Sequence, residues 1–165
     1  MKRLWCVAVA LVFSGATLAS LAPAQKLPWQ TTKRPQDVRY LFPEQVSVAA
    51  GKDAVVEMHF RITPGMHINS HVPSEKGLIP TQLKLGQAAG VKLDAVAYPA
   101  GSEYAIAAMP KVKLSVYSGD FVLRAHVKAA AGQHLLQGSL RYQACDVNAC
   151  YPPRDAPVAV DVIAR

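Results

Sequence analysis

The sequence predicts an all-β domain, a sandwich or a barrel. Beyond the first two dozen residues, no segment sustains a 3.6-residue apolar period, and short stretches alternate apolar with polar side chains instead. Glycine and proline turn signals separate these stretches at short intervals. One segment carries the chemistry: Tyr142-Gln-Ala-Cys145-Asp-Val-Asn-Ala-Cys150-Tyr-Pro-Pro153, with a β-like run leading in and two prolines leading out.

The N-terminus is set apart from the fold. Lys2 and Arg3 form a positive region, Leu4 to Phe13 an apolar one, and Ala22-Pro23-Ala24 a small-x-small cleavage site. This pattern predicts a secretory signal peptide over residues 1–24, too short for a membrane anchor, with the mature chain starting at Gln25. Cys6 leaves with the signal and lacks a lipobox-like context. Residues 25–37 are polar, carry Pro28 and Pro35, and read as an arm or linker. The β domain spans 38–165.

Within it, Asp53 to Ile62 has the clearest alternation. Val56, Met58, Phe60 and Ile62 fall on one face, and Val55, Glu57, His59 and Arg61 on the other, as in a strand with one buried face. Pro64-Gly65 marks a turn and Met66 to Ser70 a strand. His71 to Pro80 is a loop, Thr81 to Leu85 a strand, and Gly86 and Gly90 bracket a turn. Val91 to Tyr98 reads as a strand and Pro99 to Pro110 as a longer loop. Lys111 to Tyr117 and Phe121 to Val127 flank a hairpin turn at Ser118-Gly119-Asp120. Ala129 to Gly132 is a weak linker, and His134 to Ala144 and Val158 to Ile163 complete the strands.

Composition narrows the function. The chain has 165 residues and a formal charge of +7, or about +5 once Lys2 and Arg3 are removed. The basic residues are scattered and not interleaved with aromatics, which argues against nucleic acid. No later stretch is long and apolar enough to span a bilayer, so a soluble exported protein is expected, and the remaining cysteine pair then defaults to a disulfide. Four residues between the cysteines suit a hairpin tip. Facing strand residues have Cα atoms about 4.5–5.5 Å apart, within the range a disulfide bridges.

The bridge can be a staple or a reagent. A loop of about six residues gains only roughly 2 kcal/mol from chain entropy, a poor staple, and short strained or exposed disulfides are the more reducible ones. If the strand continues without a bulge, Cys145 shares a face with Arg141 and Gln143, opposite Leu140 and Tyr142, and points to solvent or a partner. Arg141 and Arg154 favour a thiolate there, and Asp146 opposes it. The absence of Cys-x-x-Cys and of a βαβ pattern excludes a thioredoxin fold.

The cysteine segment Gln143 to Pro153 resembles the active-site hairpin of the N-terminal periplasmic domain of DsbD-type protein-disulfide reductases. Pro64-Gly-Met-His67-Ile-Asn-Ser70 and Gly77-Leu-Ile-Pro-Thr81 resemble further segments of that domain in the same order. The resemblance implies an immunoglobulin-like β-sandwich with the cysteine pair on a hairpin. It implies that Cys145 and Cys150 are the exchanging pair, with no cofactor or metal beyond the disulfide. Electrons would come from a membrane thiol reductase and pass to periplasmic thioredoxin-fold proteins, such as disulfide isomerases and cytochrome c maturation factors. Because the chain stops at Arg165, that reductase is expected on another polypeptide. The family also shields its disulfide with a cap loop, which by order falls around Ser102 to Pro110. Glu103 and Tyr104 are its candidate contacts, while Ala107, Ala108 and Met109 are apolar where acidic or aromatic groups are expected. Tyr142 and Tyr151 are candidate hairpin contacts, with ordinary core or edge packing as their plainer role.

Competing readings rest on other residues. Met58, His59, Met66, His67, His71 and Met109 are soft or imidazole ligands that suit copper. However, Met58 and His59 face opposite ways, so Met58 and Met66 read as core and His67 as a satisfied structural histidine. A cysteine hydrolase pairing Cys150 with His126 or His134 has no supporting signature. The main alternative is a non-catalytic, periplasmic protein-binding β-sandwich whose disulfide locks the hairpin.

Overall fold

The computed structural model describes residues 35–41, 45–106 and 109–165. The expected signal peptide and most of the arm lie outside them, as do Ala107 and Ala108. The last arm residues, Pro35 to Asp37, are tied to the domain: Arg154 Nη1 donates to the Pro35 carbonyl at 2.7 Å and approaches Asp37 at 3.3 Å.

Every regular element among the described residues is a strand. One sheet has the order β1 (Val38–Leu41), β3 (Asp53–Ile62), β9 (Asp120–Ala129), β6 (Val91–Ala97). A second has the order β2 (Gln45–Val48), β12 (Arg154–Ala164), β10 (Gly132–Tyr142), β5 (Gln82–Leu85). Pairing is antiparallel throughout these two sheets except for β2 against β12. The alternation in β3 is what the structure uses: Val56, Met58, Phe60 and Ile62 are buried, while Val55 is 45% exposed. Leu123, Ala125 and Val127 from β9 join them, with Leu136, Leu140 and Tyr142 from β10 and Val158, Val160 and Val162 from β12. The inner faces of the two sheets make one core, the layering of an immunoglobulin-like β-sandwich. Burying each large side chain contributes about 1.5–3 kcal/mol.

β12 is longer than its sequence pattern indicates and begins directly after Pro152-Pro153. It tolerates Pro157 because β2 pairs only with Asp161 to Ala164, so among the described residues no strand is paired with β12 on that side at Pro157. The weak linker Ala129 to Gly132 reduces to Ala130 and Ala131, between β9 and β10.

A third sheet has the order β11 (Ala144–Cys145), β4 (His67–Asn69), β8 (Met109–Tyr117), β7 (Ser102–Ile106). Here the expected loop from Pro99 to Pro110 is corrected: it contains β7 and the start of β8. Ser102 to Ala105 pair antiparallel with Val116 to Lys113, and the ladder hydrogen bonds outweigh the turn propensity of Pro99, Gly101 and Pro110. Register divides this sheet into two faces. Ile68, Tyr117 and Ala144 point into the main core. The opposite face carries Cys145, His67, Asn69, Val116, Leu114, Ser102 and Tyr104, because cross-strand partners share a face and residues two apart return to it.

Candidate functional site

The site begins where the chain changes sheets. β10 ends at Tyr142 in the second sheet, and Gln143 carries the chain into β11 of the third. The Gln143 side chain fixes this crossing, its Oε1 accepting from Asn69 Nδ2 at 3.0 Å and from the Ile79 amide at 3.2 Å. After the crossing, Ala144 pairs with Ile68 and Cys145 with His67.

The next residues turn tightly. The Asp146 carboxylate accepts from the Asn148 amide at 2.7 Å and the Ala149 amide at 2.8 Å through Oδ1, and from the Tyr151 hydroxyl through Oδ2. The Asp146 amide donates to the Ala149 carbonyl at 2.9 Å, and the Tyr151 amide to the Ala144 carbonyl at 2.8 Å. Aspartate suits such a turn because its short side chain reaches backbone amides two and three residues on. Cys145 and Cys150 face each other as an antiparallel bridge and are joined by a disulfide, with Cα atoms 3.9 Å apart.

The two sulfur-bearing residues differ in environment. Cys145 is 1% exposed, and Cys150 is exposed with Val147, Asn148 and Ala149. This corrects the expectation that Cys145 points to solvent alongside Arg141 and Gln143. That parity assumed a continuous strand; the break at Gln143 moves Cys145 to another sheet, where it is buried beside β4. Arg141 and Arg154 do not stand over the pair as bare cations: Arg141 approaches Asp155 at 3.7 Å and Arg154 approaches Asp37 at 3.3 Å.

Tyr104 packs on His67. Its ring lies 4.0 Å, centroid to centroid, from that of His67. Glu103, on the opposite face of β7, is exposed and bound to Lys113 Nζ at 2.7 Å. Tyr151 lies at the tip through its bond to Asp146. Tyr142 is fully buried in the main core, and burial raises its hydroxyl pKa.

His67 escaped the sequence reading as a site residue. It is 3% exposed and its Nε2 has no hydrogen-bond partner, so it is not a satisfied core histidine. Burial pushes its pKa below the ordinary 6.5, opposed by the Asp146 carboxylate. A histidine on an otherwise buried strand was the available signal, but its pairing with Cys145 is a tertiary fact. Three other candidate copper ligands lie apart from one another. His59 lies beside Glu57 on the exposed face of β3, and Met58 is in the core. His71 stacks on Tyr98 at 3.7 Å with Nδ1 3.0 Å from the Thr81 carbonyl. Among the described residues, no three His, Cys, Asp or Glu side chains are grouped to hold a metal.

The sandwich thus presents a disulfide at a hairpin tip, one cysteine buried and the other exposed, the arrangement of a β-sandwich protein with one accessible sulfur. Residues 37–161 match the family described as thiol:disulfide interchange protein DsbD, N-terminal, and the chain belongs to that family. Two solved structures are similar. The N-terminal periplasmic domain of ScsB from Proteus mirabilis aligns at 15% identity over 70% of this chain and 42% of that one, with a TM-score of 0.49. The present chain therefore spans about two-fifths of that protein's length. The reduced DsbD N-terminal domain of Neisseria meningitidis aligns at 24% identity over 67% of this chain and 79% of that one, with a TM-score of 0.44. No curated protein sequence matches the chain. No helix among the described residues is long and apolar enough to cross a membrane.

Proposed function

We propose that the protein is an exported, periplasmic thiol-disulfide interchange domain that relays electrons through Cys145 and Cys150. They pass from a membrane thiol reductase to thioredoxin-fold clients, among them proteins of cytochrome c biogenesis. The disulfide is the only redox group the reaction requires. The observation that carries this reading is the asymmetry of the pair. Exchange needs a sulfur that a partner thiolate can reach. Cys150 at the exposed tip meets that need, while Cys145 is buried.

The chemistry is two displacements. A partner thiolate attacks Cys150 Sγ, forming a mixed disulfide and releasing Cys145 as a thiolate. A second partner thiol then resolves the mixed disulfide, and the domain is left as a dithiol carrying two electrons. Delivery to a client runs the same steps in reverse, with Cys150 attacking and Cys145 resolving.

The test is a redox titration of the protein in glutathione or dithiothreitol buffers, with thiols trapped by alkylation. The expected midpoint lies between about −180 and −270 mV, the range of exchanging protein disulfides. A midpoint well below about −300 mV marks a structural bridge and overturns the reading.

A further inference from the structure

The face that holds Cys145 contains two buried polar atoms without a hydrogen-bond partner, His67 Nε2 and Asn69 Oδ1, and of the two only the imidazole nitrogen can take up a proton. His67 Nε2 is enclosed and unpartnered, and such atoms are rare in folded proteins because they forfeit a hydrogen bond to water without replacement. His67 is the direct cross-strand partner of Cys145, and both side chains lie on the same face. Directly opposed residues have Cβ atoms about 4.5–5.5 Å apart, which brings the imidazole close to its partner's side chain. The Tyr104 ring closes the other side of the imidazole. In the disulfide form Cys145 has no proton to offer; in the dithiol form it has an S–H donor. The unpartnered nitrogen thus belongs to the residue paired with Cys145, the buried one of the two sulfurs that acquire a proton on reduction.

We propose that His67 Nε2 takes the thiol proton of Cys145 in the reduced protein and returns it when the disulfide is opened. This rests on the interchange function proposed above. During delivery, Cys150 is held in a mixed disulfide with the client. The Cys145 thiol gives its proton to His67, leaving a thiolate and an imidazolium. The thiolate attacks Cys150 Sγ, so the Cys145–Cys150 bond forms and the bond from Cys150 to the client breaks. The client sulfur leaves with the electron pair as a thiolate, and the imidazolium releases its proton to that thiolate or to water. The client disulfide has gained two electrons and the cysteine pair has lost two. In the opposite direction, the imidazolium protonates Cys145 as it departs from the attacked disulfide.

The surroundings suit both states. Burial favours the neutral ring, ready to accept, and the Asp146 carboxylate favours the protonated one. Titratable groups at the site are Cys145 and Asp146 on β11 and the residue after it, Tyr151 bound to Asp146, and Tyr104 on β7; β8 brings the uncharged Val116 and Leu114 to this face. A site poised between the two ring states can move one proton without water, which the buried position of Cys145 otherwise excludes.

The experiment is an NMR pH titration of the full chain, isotopically labelled at histidine and cysteine, in the disulfide form and after reduction by excess dithiothreitol. The His67 ring is expected to titrate at least about half a pH unit apart in the two forms, with the Cys145 Cβ resonance following the same transition in the reduced protein. In the His67→Gln protein the Cys145 thiol pKa is expected to rise, and resolution of a preformed mixed disulfide at pH 7 to slow by about tenfold or more. A His67 ring that titrates identically in both redox forms overturns the proposal, and that comparison needs no variant. If the ring responds to redox state but the pair fails the potential test above, the interchange reading falls while the proton coupling stands. If the pair exchanges and the ring does not respond, only the present proposal falls.

Discussion

Removal of the Asp146 carboxylate should make the disulfide easier to reduce. Three donors converge on it: the amides of Asn148 and Ala149 at 2.7 and 2.8 Å and the Tyr151 hydroxyl. Together they fold the four residues between the cysteines and bring the chain back toward Cys145. A hydrogen bond to a charged group contributes about 1.5–3 kcal/mol in general, and the lower end applies here because the tip faces water. Allowing for order that persists in the dithiol, about 1–2 kcal/mol of the tip's order is specific to the closed ring. For a two-electron couple about 1.4 kcal/mol corresponds to 30 mV, so Asp146→Ala should raise the potential by about 20–40 mV. The charge acts with the same sign, since a carboxylate next to Cys145 disfavours its thiolate and hence the reduced state. Asp146→Asn separates the two effects, because it keeps an acceptor for both amides and loses the charge; it should shift the potential by less than Asp146→Ala. Glutathione equilibration of the three proteins, with alkylated species resolved by mass, measures the order directly. A potential for Asp146→Ala that falls, or stays within about 5 mV of the parent, refutes the role of the tip.

Other perturbations test the fold and the buried face. Gly138→Ala should destabilise by at least about 1–3 kcal/mol in urea unfolding, because its Cβ would lie 2.0 Å from the Lys84 carbonyl oxygen and 2.8 Å from Leu85 Cα, forcing β5 off β10. Tyr142→Ala should cost about 3–5 kcal/mol by cavity formation, far more than Tyr142→Phe, while the potential of the residual folded protein stays near the parent value. Stability should also fall in acid through His67. Its folded pKa lies below the ordinary 6.5, so between the two values the unfolded chain binds more protons and stability rises with pH. The urea midpoint should therefore drop as pH falls from about 6.5, and drop less in His67→Gln; an equal drop in both proteins removes His67 as the cause.

The sandwich was legible where burial is one-sided. Asp53 to Ile62 alternates because its inner face meets a single core, and the strand occupies those ten residues. The hairpin disulfide was legible because its closure is local. The burial of Cys145 was not, since it depends on a change of sheet at Gln143, and a side-chain amide held by Asn69 and Ile79 leaves no periodic trace in sequence. β7 was hidden for a different reason. Its Ser-Glu-Tyr-Ala-Ile segment follows Pro99 and Gly101 and precedes Pro110, and local turn propensity outweighed a short alternation that only pairing with β8 stabilises. The same bias shortened β12, where among the described residues no strand is paired on one side at Pro157.

The two faces of the third sheet connect stability to chemistry. Ile68 and Ala144, paired across β4 and β11, are anchored in the main core, and each lies one residue from a site residue, His67 and Cys145. The core therefore fixes the direction of both site side chains through the backbone. The tip has the opposite character. Val147 is 68% exposed, Cys150 is exposed, and the order of the turn depends on the bonds around Asp146 rather than on packing. One sulfur is held by the fold and the other by a short, hydrogen-bonded turn. If the pair exchanges as proposed, the turn is the side free to rearrange when the bond opens, and Cys145 stays fixed by its pairing with His67.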